Sequence, residues 1–177
     1  MKKISFLACL FSLCLLVGCT SIPASKVSFD VDVTYESENP SVTVKVEPFW
    51  MNDLMNGTGI GGFNCIFTNN TDKVAKVVWD ESSINYNGTS YVPFIEGQKY
   101  TNAQEPMSPM AIAKGVTLSK QVYSSAQPHF VSGTYGGWRM YTMSDTTTTN
   151  NKVQLIFLIK AKDKEESITI NVTTKIQ

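Results

Sequence analysis

A strict alternation of apolar and polar residues most limits the folds open to this chain. From residue 27 to residue 34 every odd-numbered side chain is apolar and every even-numbered one is polar, and residues 41 to 47 carry valine at each even position. Successive side chains of a β-strand point to opposite faces, so this period of two predicts two strands that each turn one apolar face to a core. We expect the intervening turn at Glu38–Pro40 to join them as a hairpin.

Turn residues divide the rest of the chain into further short strands. Asn87 and Gly88 accept the positive φ of a type I′ turn and are flanked by apolar and aromatic residues, which predicts a hairpin. Residues 153 to 161 are apolar on both faces, as in a central strand, and a polar turn then leads into an alternating strand at 168 to 172. Residues 96 to 109 and 124 to 137 are predicted as long loops.

The pattern as a whole favours an all-β fold. No stretch after the leader has helical periodicity, whereas about eight to ten short strands recur with turns between them. We expect an antiparallel β-sandwich, because two sheets packed face to face bury both apolar faces. This arrangement resembles the immunoglobulin-like sandwich in its architecture, without the cysteine pair of antibody domains.

The first nineteen residues have the pattern of a secretory leader. Two lysines precede an apolar run from residue 4 to residue 17, and this run is shorter than the roughly 20 residues that a membrane-spanning helix needs. It ends in Leu16-Val17-Gly18-Cys19, which resembles a bacterial lipobox. The resemblance implies that the leader is cut before Cys19 and that a diacylglycerol is attached to the sulfur of this cysteine.

The expected organisation is a signal peptide at residues 1 to 18, a lipidated tether at 19 to 26 and a single domain at 27 to 177. The chain is therefore expected to be exported and held at a membrane by the lipid on Cys19. Thr20 resembles the sorting signal for the outer membrane, if the organism has two membranes. The stretch from Asn70 to Ser83, followed by an Asn-Gly turn, is similar to one in small predicted bacterial lipoproteins of unknown role.

Cysteine and charge usage argue against several kinds of site. Cys9 and Cys14 belong to the leader and Cys19 to the lipid, so Cys65 has no disulfide partner and is expected to be a buried core thiol. A single histidine leaves a metal site poorly supplied. Two of the fifteen basic residues lie in the leader, and the remaining thirteen face fifteen acidic ones. We therefore expect no metal and no nucleic acid, which would require a basic surface.

Motifs for catalysis and cofactors are weak. Residues 57 to 62 are rich in glycine, but a strand rather than a helix follows them, so they indicate a flexible connection or a bulged strand and not a phosphate-binding turn. His129 is the one imidazole, and Ser124, Ser125 and Ser132 are the nearby candidate nucleophiles for an envelope hydrolase. A lone histidine beside a proline is more often structural, so we expect no enzyme and no cofactor.

Large side chains beside glycines indicate where a partner would bind. Trp50 and Met55 lie in or beside one glycine-rich segment, and Tyr135 and Trp138 flank Gly136-Gly137. These residues either close the end of the sandwich as part of the core or form an exposed binding patch. The expected function is a lipid-anchored cell-envelope module that binds or scaffolds a protein, glycan or small molecule without catalysis. The alternative is a lipoprotein that only blocks the surface, for example in phage exclusion.

Overall fold

The computed structural model describes residues 27–53, 57–143 and 151–176. No helix in these ranges is long and apolar enough to cross a membrane. Cys19, the tether and Met55 lie outside the described residues, so what the sequence predicts for them stays a prediction.

The strands are β1 (Val27–Tyr35), β2 (Val42–Asp53), β3 (Gly57–Asn69), β4 (Ala75–Tyr86), β5 (Thr89–Tyr91), β6 (Pro93–Ile95), β7 (Met110–Ile112), β8 (Thr117–Ser124), β9 (Pro128–Val131), β10 (Gly137–Met140), β11 (Lys152–Ala161) and β12 (Lys164–Ile176).

The strands form two antiparallel sheets and one separate hairpin. Sheet A has the order β1-β12-β11-β4-β5, with β7 also paired to β4, and sheet B has the order β2-β3-β8-β6. The hairpin β9–β10, which we call the arm, pairs with neither sheet. The predicted all-β antiparallel sandwich is confirmed, because the buried apolar side chains of the two sheets form one common core.

The predicted hairpin between β1 and β2 is wrong. β1 pairs with β12 in sheet A, and β2 pairs with β3 in sheet B, so the turn between them crosses from one sheet to the other. The Tyr35 hydroxyl on β1 connects the two sheets through Val44 on β2. It donates to the Val44 carbonyl oxygen at 3.2 Å and lies 3.1 Å from the Val44 backbone nitrogen. Alternation determines which face of a strand is buried, and it does not determine the neighbouring strand.

Aromatic packing joins the two sheets at the centre of the core. The ring of Phe67 in sheet B lies edge to face against Trp79 and Phe157 in sheet A, with centroids 5.9 and 5.2 Å away. This geometry suits the quadrupoles of the rings. Cys65 is fully buried in the same core, which confirms the predicted core thiol. Burial raises the pKa of this thiol far above its usual value.

The glycine-rich segment at 57 to 62 is part of a bulged strand, the second of the two predicted alternatives. Phe49 lies opposite Gly62 and Trp50 lies opposite Ile60, so Gly61 has no counterpart on β2. A Cβ at position 61 would lie 2.6 Å from the Met51 Cβ, which explains the glycine there. The bulge places Ile60 in the core and turns Gly62 to the outside of sheet B.

Two further turn predictions have different outcomes. The Asn87-Gly88 hairpin between β4 and β5 is confirmed, with φ of 52° and 74° at its central residues. The predicted loop at 124 to 137 is wrong, because it contains β9 and the turn of the arm. Its glycines serve that turn: a Cβ at Gly136 would lie 2.5 Å from the carbonyl oxygen of Val131.

Candidate functional site

One part of the outward face of sheet A is polar. Asn85, Gln154 and Asn171 lie opposite one another on β4, β11 and β12. The Asn85 side-chain amide donates to Gln154 at 3.1 Å, and the Gln154 amide donates to Asn171 at 3.1 Å. These contacts are typical of a sheet face that lies in water.

The outward face of sheet B carries aromatic side chains in a row across its strands. The pairing places Phe49 of β2 opposite Gly62 of β3, and Tyr123 of β8 opposite Phe94 of β6. Val122, the neighbour of Tyr123 along β8, belongs to the core. Because adjacent side chains of a strand point to opposite faces, Tyr123 and the paired Phe94 point away from the core.

Gly62 leaves the space in which the first two rings of this row meet. The rings of Phe49 and Tyr123 lie edge to face with centroids 6.0 Å apart. A Cβ at position 62 would lie 2.8 Å from the Tyr123 ring and 2.9 Å from the Phe49 ring. Without a side chain on β3, both rings can lie against the sheet.

The row continues from the sheet onto the arm. The Phe94 ring contacts Tyr123 at 6.0 Å and Tyr100 at 5.7 Å between centroids. The Trp138 ring contacts Tyr100 at 6.2 Å and Phe130 at 5.8 Å. We call this continuous set of six rings the aromatic band: Phe49, Tyr123, Phe94, Tyr100, Trp138 and Phe130.

The most exposed rings of the aromatic band are the three farthest from β2. Phe94 is only 2% exposed although it lies outside the core, because the band itself covers it. Tyr100 and Trp138 are 40% and 37% exposed, and Phe130 is 64% exposed. Three large rings in mutual contact are therefore exposed to solvent, and contiguous apolar patches of this kind mark interaction sites.

Two clefts flank the Tyr100 ring. One has a volume of about 380 Å³ and lies between the Lys99–Thr101 segment and Trp138. The other has a volume of about 200 Å³ and lies between Tyr100, Phe94, Tyr123 and Met140. Tyr100 thus lines two concave sites beside the aromatic band.

A row of polar side chains runs beside the aromatic band. Glu47, Asn64 and Gln121 lie opposite one another on β2, β3 and β8, two residues along each strand from the band. We call these three side chains the polar row. The Tyr123 hydroxyl donates to the side-chain oxygen of Gln121 at 2.7 Å, which ties the two rows together. Burial raises the pKa of the Tyr123 hydroxyl, and Glu96 and Tyr100 nearby raise it further.

Gln127 fixes the base of the arm to sheet B. Its side-chain nitrogen donates to the carbonyl oxygens of Gly61 at 2.9 Å and Tyr141 at 2.8 Å, and its side-chain oxygen accepts from the Ser124 backbone nitrogen at 2.8 Å. Only 1% of Gln127 is exposed. A buried amide with every partner in place holds a defined geometry, so Gln127 helps to hold the base of the arm, which carries Trp138, against sheet B.

The structure separates the aromatic residues that the sequence singled out. Trp50 is half-buried, packs against the core and stacks on Phe29 with centroids 5.0 Å apart. Trp138 belongs to the aromatic band, and Tyr135, which is 90% exposed, lies in the turn of the same arm. Among the described residues no ring contact joins Trp50 to Trp138. Met55 lies outside these residues.

Sequence reasoning missed most of the aromatic band. Phe49, Phe94 and Tyr123 come from three strands, and only the pairing register brings them into one row. A local signal was present in β8, where Tyr123 follows Gln121 at an outward-facing position that a solvated strand would fill with a polar residue. Tyr100 had no such signal, because it lies in a 3-10 turn of a long loop.

His129 lies on the arm away from the aromatic band. Its ring stacks on Tyr141 with centroids 4.4 Å apart, and its backbone lies opposite Arg139 rather than Trp138. Ser124 and Ser125 are buried, and the Ser124 hydroxyl accepts a hydrogen bond from the Ala126 backbone nitrogen. Within the described ranges no hydrogen bond joins His129 to a serine, and no group of three or more metal-ligating side chains occurs.

The chain matches no protein-family model, no curated protein and no solved structure.

Proposed function

We propose that the protein is a lipid-anchored module of the cell envelope that binds its partner without catalysis through the aromatic band. The observation that carries this proposal is the exposure of Tyr100, Trp138 and Phe130 in one unbroken series of ring contacts. Large aromatic side chains provide much of the binding energy at interfaces, and these are held in place before a partner arrives.

The rings on the outward face of sheet B support this assignment. The ladder of Asn85, Gln154 and Asn171 on sheet A consists of side-chain amides that bond to one another. Sheet B instead covers part of its face with rings that also extend onto the arm. Exposed aromatic area lowers solubility, and its concentration on one face favours a binding role over a random surface distribution.

The leader and the start of the domain support the anchor. Residues 20 to 26 separate the predicted lipid on Cys19 from the first strand at Val27. Fully extended, these residues span at most about 25 Å, since each contributes roughly 3.3–3.6 Å. A partner of the aromatic band would therefore be a component close to the membrane surface.

The surroundings of His129 favour a role without catalysis. A general base must lie within hydrogen-bond reach of the proton it removes, and His129 contacts Tyr141 instead of a nucleophile. The buried Ser124 hydroxyl is engaged with the backbone of its own turn. His129→Ala should accordingly leave binding through the aromatic band unchanged.

The anchor is tested by mass spectrometry of the protein extracted from membranes. The proposal expects an amino terminus at Cys19 with added acyl mass, and it expects Cys19→Ser to abolish both the acylation and the cleavage. An unmodified chain beginning at Met1 would contradict it.

Binding is tested by photo-crosslinking in cells. A benzophenone amino acid at position 135, in the exposed turn of the arm, should form adducts with envelope material, and the same group at exposed Val74 should not. Trp138→Ala combined with Phe130→Ala should remove the adducts without lowering the melting temperature appreciably. Adducts that persist in this double variant would contradict the proposed surface.

A further inference from the structure

We propose that the ligand of the aromatic band is a linear oligosaccharide of pyranose units, which lies along the band with its hydroxyl edge toward the polar row. This inference rests on the proposed function and names its ligand class. It follows from the parallel course of the two rows across sheet B, one apolar and one hydrogen-bonding.

The two rows match the two chemical sides of a pyranose chain. Each pyranose ring has an apolar face of C–H groups and an edge of hydroxyl groups. Residues two apart on a strand are separated by about 6.6–6.8 Å, so the polar row lies at that distance from the band. A sugar stacked on Tyr123 would therefore have its hydroxyl edge within reach of Gln121, which already bonds to the Tyr123 hydroxyl.

The chemistry of the polar row favours a sugar over an apolar partner. Asn64 and Gln121 carry side-chain amides, which both donate and accept hydrogen bonds as sugar hydroxyls do. An acyl chain or an apolar peptide face laid over them would bury these groups without partners, which costs binding free energy. Glu47 at one end of the row adds a further acceptor for hydroxyl donors.

The clefts around Tyr100 favour a chain of several units over a single sugar. They have volumes of about 380 and 200 Å³, and Tyr100 lines both of them. Adjacent ring centroids along the band are 5.7 to 6.2 Å apart, comparable with the length of one pyranose unit. Units of an extended chain would thus contact Tyr123 on the sheet and then the exposed rings of Tyr100 and Trp138, while the buried Phe94 ring packs between Tyr123 and Tyr100.

Titration of the full-length protein with defined glycans tests the inference. The protein is extracted in a zwitterionic detergent without a sugar head group, and tryptophan fluorescence is followed on addition of cellohexaose, chitohexaose, maltohexaose and isolated peptidoglycan glycan strands. At least one of these probes should bind saturably. Tyr100→Ala and Trp138→Ala should each weaken that binding about tenfold or more, and Trp138→Phe should retain most of it.

The polar row provides the discriminating variants. Gln121→Leu and Asn64→Leu should weaken glycan binding several-fold, since they keep the volume of the side chain and remove its hydrogen bonds. Gln154→Leu, on the opposite outward face, is the matched control and should leave the affinity unchanged. Thermal unfolding of each variant confirms that it is folded.

Two results would overturn the inference. One is the absence of saturable binding to all four probes, and the other is binding that is unaffected by both leucine substitutions in the polar row. If Trp138→Ala with Phe130→Ala still removes photo-crosslinking from position 135, the proposed function stands and only the glycan class fails. If crosslinking also persists, the aromatic band is not the binding surface.

Discussion

The ring of Phe49 meets the ring of Tyr123 edge to face above Gly62, with centroids 6.0 Å apart. The contact joins the two strands that flank β3, although β3 has no side chain at this position. One glycine on a central strand therefore makes room for the first two rings of the aromatic band. Its role is the absence of a Cβ, rather than a special backbone conformation.

Gly62→Ala should disturb both stability and the band. The added methyl group would lie 2.8 Å from the Tyr123 ring and 2.9 Å from the Phe49 ring, so at least one ring must move. We expect a loss of about 1–3 kcal/mol in the free energy of unfolding, as for overpacking of a filled site. Urea denaturation measures it, with Asn64→Ala at the next outward-facing position of β3 as the control. Equal stability of Gly62→Ala and wild type would show that the rings adapt freely.

Trp50 and Trp138 should respond differently to truncation. Trp50 packs on the core and stacks on Phe29, so Trp50→Ala should lower the free energy of unfolding by about 3 kcal/mol. Trp138 lies on the arm and is 37% exposed, so Trp138→Ala should lower the free energy of unfolding by about 1 kcal/mol or less.

Trp50→Phe is an informative third variant, because the buried Trp50 indole nitrogen has no hydrogen-bond partner among the described residues. It should cost far less than Trp50→Ala. Similar losses for both alanine variants would contradict the assignment of Trp50 to the core.

More of the fold than of the site could be predicted from the sequence, because alternation along a strand is a local pattern and strand pairing is not. Alternation predicts that residues 27 to 34 form a strand with one apolar face toward the core; β1 confirms the strand, and this face is partly buried against the core. The same pattern does not show which strand is the neighbour in the sheet, since any strand with a complementary apolar face can pair. The predicted hairpin between β1 and β2 is therefore wrong, because each of these strands pairs in a different sheet.

The candidate site was harder still to predict from the sequence, because most of it depends on strand pairing. Tyr135 and Trp138 were visible as aromatic residues beside glycines, and the arm brings them together in one hairpin. The rest of the aromatic band depends on long-range pairing, as in the register that sets Phe94 opposite Tyr123. Trp50 had the same local signal as Trp138 and lies against the core, because inward or outward direction depends on the strand and not on the neighbouring glycine.

Gln127→Leu should loosen the arm. The substitution removes hydrogen bonds to the carbonyl oxygens of Gly61 and Tyr141 and to the Ser124 backbone nitrogen, and it leaves these buried groups unpaired. We expect a loss of about 1–3 kcal/mol in the free energy of unfolding. Hydrogen exchange should increase at the Tyr141 amide, which donates to the Gln127 carbonyl oxygen at 2.9 Å. Gln104→Leu, at an exposed position of the loop between β6 and β7, is the control. Unchanged exchange in the arm would show that Gln127 does not position it.

Glu166 should make stability depend on pH in the acidic range. This carboxylate is almost fully buried, accepts hydrogen bonds from the Ser41 backbone and hydroxyl at 3.0 and 3.2 Å, and pairs with Lys164. Burial alone would raise its pKa, but the bonds from Lys164 and Ser41 outweigh burial and hold the pKa below the ordinary value of 4.5. The stabilisation is therefore present above pH 4.5 and is lost as the pH falls through the lowered pKa.

Glu166→Gln tests this dependence. We expect a loss of about 1–3 kcal/mol in the free energy of unfolding at pH 7, because a buried charged acceptor is removed. The difference from wild type should shrink as the pH is lowered below 4.5. Glu165→Gln, whose side chain is largely exposed, is the control and should change stability by less than about 1 kcal/mol. A constant difference at every pH would contradict the role given to Glu166.

Hydroxyl-radical footprinting of the protein in isolated cell envelopes tests the central claim most directly. The oxidation of Tyr100, Phe130 and Trp138 is measured by peptide mass spectrometry in envelopes and again after purification, with the partly exposed Tyr91 of sheet A as an internal reference. If the aromatic band holds a partner in the envelope, these three residues should be oxidised several-fold less in envelopes than in the purified protein, while Tyr91 is unchanged. Equal oxidation of the band in both samples would contradict the claim that this surface binds.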